Sequence, residues 1–369
     1  MVDLGLTVFW GAKMKEHITY KNSESIKESV RDYYGRVLKS KDDLKSTACC
    51  AAESFPAHIK PIAALVHPEI LERFYGCGVP VPAAIEGCTI LDLGCGTGRD
   101  AYILSRLTGP TGRVIGLDMT DAQLELARKH QEYHRQQFGY PRSNVDFRKG
   151  YIEDLAAADI ADESIDLVVS NCVINLSPDK KSVFSEIFRV LRPGGELYFS
   201  DVFCDRRLSE EQREDPVLLG ECLGGAMYKE DFRRLMTDLG CPDFRIISAT
   251  EIVSHNEEVQ RKIGLARFFS ITIRAFKLPL EDRCEDYGQV AYYLGGIPES
   301  PHAFRLDDHH LLEKGRAFPV CANTAAMLTK SRFKHFFKVE GDTSIHFGIF
   351  PCGPAPSVAE ESPAAGACC

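Results

Sequence analysis

The sequence predicts an α/β fold: a doubly wound, mostly parallel sheet of seven strands, preceded by an N-terminal lid segment and followed by a small C-terminal α/β domain. Three observations carry this prediction. In Thr89–Asp100 an apolar run, Ile90-Leu91-Asp92-Leu93, breaks into glycines at Gly94, Gly96 and Gly98. That is a buried strand entering a tight turn, with a helical pattern from Ala101 to Leu107 behind it. Glycine lets the backbone turn sharply and pass close to a ligand at the carboxyl end of the strand. The second observation is alternation: strand patterns at Arg113–Asp118, Val145–Phe147, Ile165–Ser170 and Gly195–Ser200 are separated by helical patterns at Asp121–Phe138 and Lys181–Leu191. The third is a pair of late strands, Phe244–Ile252 and Phe268–Phe276, that complete the sheet.

The flanks follow from caps and stops. Lys21–Lys39 reads as a helix capped by Ser23, with Ile26, Val30, Tyr33, Tyr34 and Val37 as its apolar stripe. A small-residue loop, Ser46–Ala52, carries Cys49 and Cys50. Pro61–Tyr75 reads as a second helix, stopped by Gly76-Cys77-Gly78. Residues 1–60 are thus expected as the helix and cysteine loop of the lid, 61–205 as the cofactor-binding core and 206–285 as the region that completes the sheet. Residues 286–350 form the small C-terminal domain, and 351–369 a disordered tail rich in Pro, Ala and Ser that ends in Cys368-Cys369.

Composition narrows the function. A net charge of −9 argues against a nucleic-acid substrate held on a basic surface. No run of about 18 apolar residues is present, so no membrane span is expected, and the start lacks a basic leader with an apolar core. A cytoplasmic monomer is the expectation. The chain has 14 cysteines, many for a reducing compartment, and no C-x-x-C pair of the kind that binds zinc. Cysteine usage therefore needs a chemical explanation.

The glycine turn is not a dinucleotide fingerprint, because the third glycine would stand where Arg99 does. An acidic residue, Asp92, two places before a G-x-G-x-G turn instead resembles the first motif of class I S-adenosylmethionine methyltransferases, which have a Rossmann-like sheet. Asp118 ends the second strand about 20 residues on, where such folds hold a ribose. It is the candidate acceptor for both ribose hydroxyls. Asn171 and Cys172 end the fourth strand and are expected beside the reactive methyl. Amino-group methyltransferases carry an Asn/Asp-Pro-Pro-aromatic turn here. Asn171-Cys-Val-Ile174 replaces it, which argues against an amine substrate.

Cys172 at the crevice, Cys222 among glycines in Val217–Ala226, and Cys49 and Cys77 on the lid loops suggest a soft, thiophilic substrate. Trivalent arsenic fits: three sulfur ligands still leave a lone pair to attack a methyl group. The chain resembles the arsenite methyltransferases in Asp32–Gly35, Arg73–Gly78, Leu91–Gly94, Gly116–Thr120, Gly150–Glu153, Ser170–Leu176, Gly195–Val202 and Gly220–Gly225, over roughly residues 21 to 290. The resemblance implies methyl transfer from S-adenosylmethionine to arsenite and then methylarsenite, in arsenic detoxification. A thiol of the glutathione or thioredoxin type would serve as co-substrate. It also implies arsenic-binding roles for Cys49, Cys77, Cys172 and Cys222, with Cys50 an alternative to Cys49. The implied cofactor contacts are Tyr75, Asp92, Gly94, Gly96, Asp118, Met119, Gln123, Ile152, Glu153 and Asn171. Two other readings stay open: a methyltransferase for another small molecule, and an arsenic-binding protein without turnover. Cys88, Cys204, Cys241 and Cys321 read as small core hydrophobes, and Cys368-Cys369 as part of a dispensable tail.

Overall fold

The computed structural model describes residues 55–74 and 78–352. The Lys21–Lys39 helix, Cys49, Cys50, Tyr75, Cys77 and the tail with Cys368-Cys369 lie outside the described residues. The central sheet contains β1 (Thr89–Leu93), β2 (Arg113–Asp118), β3 (Val145–Lys149), β4 (Ile165–Asn171), β5 (Leu191–Cys204), β6 (Met227–Tyr228), β7 (Phe244–Ile252) and β8 (Phe268–Phe276). Seven of them run in the order β3-β2-β1-β4-β5-β8-β7, and the two-residue β6 pairs with the end of β5. All pairings are parallel except those of β8 with β5 and with β7. The doubly wound, mostly parallel sheet is the one the sequence predicts.

Two helices differ from the sequence reading, each for a local reason. The segment expected as one helix from Pro61 to Tyr75 contains two short ones, Lys60–Ala63 and Pro68–Glu72. Pro68 excludes the helical conformation from its predecessor, so His67 is extended (ψ 135°) and caps the second helix by accepting from the Glu69 N–H. The long helix expected from Asp121 to Phe138 is divided at His130 into Asp121–Lys129 and Gln131–Phe138. The His130 ring stacks on His67 at 3.7 Å and contacts the Glu69 carboxylate at 2.7 Å.

Both faces of the sheet are covered. On one, Phe184, Phe199, Phe203 and Phe232 interlock in edge-on contacts beneath the helices Lys180–Val190 and Lys229–Asp238. On the other, the helix Arg99–Thr108 buries Ala101, Tyr102, Ile103 and Leu104. Each large apolar side chain so buried contributes about 1.5–3 kcal/mol.

The C-terminal unit is a three-stranded sheet, Ala317–Val320, Gln289–Tyr293 and Phe337–Glu340, backed by the helix Ala322–Thr329. It docks at the amino-terminal end of the parallel strands. There Glu196, fully buried, pairs with Arg274 at 2.7 Å and with Arg332. Arg274 also donates to the Leu306 carbonyl, and Arg332 to that of Ala83. Gly194 lies so close that a Cβ there would stand 2.2 Å from the Lys330 carbonyl oxygen. Among the described residues no helix is long and apolar enough to cross a membrane.

Candidate functional site

The carboxyl ends of β1, β2 and β4 open into one cavity. Of the residues expected to contact a cofactor, Asp92, Gly94, Gly96, Asp118, Met119, Gln123, Ile152, Glu153 and Asn171 all line it. Tyr75 lies outside the described residues. The β1 turn has the required conformation: Gly94, Gly96 and Gly98 all have positive φ. A Cβ on Gly94 would collide with Val173 at 2.4 Å, whereas one on Gly96 would meet no atom within 4 Å. The turn therefore packs tightly against the end of β4 on one side and leaves free space at Gly96.

Two carboxylates, the half-buried Asp118 and the buried Asp92, face the cavity. Asp118 accepts hydrogen bonds from the Gly96 N–H at 2.9 Å and the Thr120 N–H at 2.8 Å, which fix its plane at the turn. Burial raises its carboxyl above the ordinary 3.8 despite those bonds. Asp92 is raised well above that value, first by burial and then by the neighbouring charges of Asp100 and Asp118. Its Oδ2 atom has no hydrogen-bond partner among the described residues. An orphaned buried carboxylate oxygen is costly and points to an absent donor or cation.

Asn171 ties the cavity to the chain ahead of the sheet. Its side-chain amide donates to the Gly78 carbonyl and to Asp100 Oδ2, both at 2.8 Å, and its Oδ1 accepts from the Gly78 N–H. Arg99, which breaks the dinucleotide pattern, lies 3.1 Å above the Phe74 ring and donates to Asp100 and the Gly78 carbonyl. Glu153 accepts from the Ser177 hydroxyl at 2.6 Å. The sequence reading missed Arg73, Phe74, Thr97, Asp100, Thr120 and Tyr151, which also line the cavity. Asp100 and Thr97 stand inside the glycine motif, and Arg73, Phe74, Thr120 and Tyr151 inside other segments that carry the family resemblance, so each held a usable signal.

Cys172 lines the same cavity, and Cys222 packs behind it with its Sγ 4.0 Å from the Cys172 carbonyl oxygen. Both are almost fully buried. Both also hold left-handed backbone conformations, φ 57° at Cys172 and 60° at Cys222. For a residue with a side chain this costs about 1–2 kcal/mol, and such strain gathers at functional sites. Cys172 is disulfide-bonded.

The loops carrying these cysteines are braced together. A Cβ on Gly225 would stand 2.0 Å from the Asn175 carbonyl oxygen. Asp201 accepts from the Asn175 and Val202 N–H groups, and Lys180 donates to the Asn175 and Ser177 carbonyls. Burial pushes Asp201 up to about 7 and Lys180 down to about 8. Cys49 and Cys77 lie outside the described residues. Cys88, Cys204 and Cys241 are buried in the apolar cores, as expected of small hydrophobes. Cys321 is buried too, but among polar groups.

Comparison with known proteins gives the family. The profile of the family described as "Methyltransferase domain" matches residues 85–240, and that of "Arsenite methyltransferase C-terminal domain" matches residues 286–363. An arsenite methyltransferase of Aquipseudomonas alcaligenes is 54% identical over 88% of this chain and 94% of its own length. The Homo sapiens arsenite methyltransferase is 45% identical, over 85% of this chain and 84% of its own. The crystal structure of an arsenic(III) S-adenosylmethionine methyltransferase from Chlamydomonas reinhardtii superposes with a TM-score of 0.78 at 51% identity, covering 80% of this chain and 99% of that one. With relatives this similar over most of their length, the chain belongs to the arsenite methyltransferase family.

Proposed function

We propose that this S-adenosylmethionine-dependent methyltransferase methylates trivalent arsenic held by cysteine thiolates, first as arsenite and then as methylarsenite, in arsenic detoxification. One observation carries the proposal. Two cysteines from distant loops, both strained and almost fully buried, meet beside a cavity lined by Asp92, Asp118 and Asn171.

The cavity suits the methyl donor. Asp118 would accept the ribose hydroxyls, and the orphaned Asp92 carboxylate would face positive charge. Gly94, Gly96, Met119, Gln123, Ile152, Glu153, Asn171 and Tyr75 would complete the cradle. When bound, S-adenosylmethionine supplies an electrophilic methyl group on a sulfonium sulfur. The protein's own part is to hold and orient the nucleophile. Cys172 and Cys222 would each replace an arsenic-bound hydroxyl, which leaves as water with the thiol proton. Cys77 and Cys49, or Cys50 in its place, would join them for arsenite. Two thiolates in fixed loops aim the arsenic lone pair.

Methyl transfer raises arsenic from the trivalent to the pentavalent state. A thiol of the glutathione or thioredoxin type returns two electrons and is itself oxidised to a disulfide. The same thiol would open the disulfide at Cys172. The chain would act as a monomer on small thiol conjugates of arsenic. The test is a mixture of the purified chain with arsenite, S-adenosylmethionine and such a thiol, analysed by chromatography with arsenic detection. Methylated arsenic that depends on the methyl donor supports the proposal. Arsenic binding without methylated product would make the protein a binder, and methylation of other small molecules alone would make the thiols incidental.

A further inference from the structure

A second group of thiols stands at the other end of the sheet. Cys284, Cys321 and Cys352 place their sulfur atoms within 4.8 Å of one another, and no histidine or carboxylate belongs to the cluster. Three separate segments bring them there. The strands Gly348–Ile349 and Glu285–Asp286 pair antiparallel, and the Phe350 N–H then donates to the Cys284 carbonyl, which sets Cys352 beside Cys284. Cys321 arrives as the N-cap of the helix Ala322–Thr329. Its sulfur accepts from the Thr324 N–H at 3.5 Å, contacts the Thr324 hydroxyl at 3.3 Å and accepts from Arg245 at 3.9 Å. A helix N-terminus and a guanidinium are surroundings that favour thiolate over thiol. The cluster opens into a cavity of about 440 Å³, lined by Cys284 and Cys352 together with Arg245, Asp307 and His310.

We propose that Cys284, Cys321 and Cys352 form a second binding site for trivalent arsenic, one from which no methyl transfer occurs. The donor set selects the ligand. Three sulfurs complete trivalent arsenic, whereas structural zinc is closed by four ligands and soft thiolate sites exclude calcium and magnesium. Binding exchanges three As–O bonds for three As–S bonds. Each thiol proton leaves on a hydroxyl as water, a thiolate drawing its proton from solvent, and no oxidation state changes.

Strand register separates this site from the methyl donor. The thiol cluster packs against Arg245 near the start of β7, where Phe244 aligns with Ala275 of β8 and Ala275 with Leu197 of β5. Leu197 in turn aligns with Val168 at the middle of β4, short of Asn171, beyond which the cofactor cavity lies, and β7 stands three strands across the sheet from β4. Arsenic held by the second cluster is thus out of reach of the methyl group. Such a site would retain substrate, or withhold it, at the far end of the protein.

The test uses the full chain, reduced and freed of small thiols, and equilibrated with arsenite alone. Arsenic per chain is then measured after gel filtration for the parent, Cys321→Ala and Cys352→Ala. Each variant is expected to lose one equivalent of arsenic while keeping methylation turnover within about twofold, since neither residue faces the cofactor cavity. Cys352 is exposed, so its replacement keeps the test valid where Cys321→Ala impairs folding. Equal arsenic content in parent and variants would overturn the proposal. So would one zinc per chain in the purified protein that is lost in the variants. Loss of turnover in the parent would instead overturn the proposed function and leave the stoichiometry to decide this site.

Discussion

Replacing Cys222 separates the chemistry of the thiol from the strain of its backbone. Cys222 is 1% exposed and has φ 60°. Alanine removes the sulfur but keeps the left-handed penalty of about 1–2 kcal/mol. Glycine removes the sulfur and the penalty together, against about 0.5–1 kcal/mol of additional unfolded-state entropy. The difference favours Cys222→Gly over Cys222→Ala by up to about 1.5 kcal/mol, the balance of those two figures. Cys222→Ser keeps the strain and offers arsenic a hard oxygen. Urea unfolding of the three variants measures stability, and chromatography of methylated arsenic measures turnover. The expected pattern is turnover lost in all three, with glycine at least as stable as alanine. A glycine variant less stable than alanine by more than about 1 kcal/mol would refute the strain argument. Normal turnover in any of the three would refute the role of the thiol.

Three further outcomes are expected. Asp118→Ala should weaken S-adenosylmethionine at least tenfold by calorimetry, through loss of charge-assisted bonds of about 1.5–3 kcal/mol each, while arsenite binding is kept; because two backbone N–H groups also depend on this carboxylate, the variant's fold is checked by circular dichroism. Asp201, raised by burial to about 7, contributes stability that is full below its ordinary 3.8 and is lost as pH rises through about 7, so Asp201→Asn, which mimics the protonated carboxyl, should flatten the urea midpoint across that window; an unchanged pH slope would remove Asp201 as its source. A Cys49→Ser/Cys50→Ser double variant should fail on arsenite yet still convert methylarsenite with added thiol, because methylarsenite already carries one arsenic–carbon bond and two sulfurs complete it; simultaneous loss of both activities, with normal S-adenosylmethionine binding, would refute the division of labour.

Much of the architecture was legible because its signals are local. The glycine turn after β1 and the acid that ends β2 are set by short-range sterics and spacing, and both stand at the cavity. Helix division was less legible, since it depends on distant partners. His130 interrupts its helix where it meets His67 and Glu69, roughly sixty residues away in sequence. Cys172 and Cys222 are legible as candidates from a strand end and a glycine-flanked loop, but their contact is not, because 50 residues separate them and the folded loops bring them together. Cys321 shows the opposite limit. Its burial was foreseeable from residue type, but its position at a helix N-terminus, facing two other thiols, depends on three segments that no periodicity connects.

On the proposed function, the braces around the Cys172 and Cys222 loops would let two thiolates orient the substrate. Thiolates on mobile loops would bind arsenic well enough, but would leave its lone pair pointing in many directions, and misplacement by about 1 Å can cost a hundredfold in rate. Here the Cys172 N–H is fixed to the Ser200 carbonyl at 2.9 Å, so the cysteine follows the β4–β5 register. Asn175, three residues on, is held by Asp201 and Lys180 on one side and by the close approach of Gly225 on the other. Gly225 belongs to the loop of Cys222, so the contact fixes the two thiols relative to each other. A side chain larger than hydrogen at position 225 would force the loops apart. Its primary effect would be on the orientation of arsenic rather than on arsenic affinity. Gly225→Ala should therefore lower kcat for both arsenite and methylarsenite far more than it weakens arsenic binding to the reduced protein; a proportional loss of both would show that the contact supports only the fold.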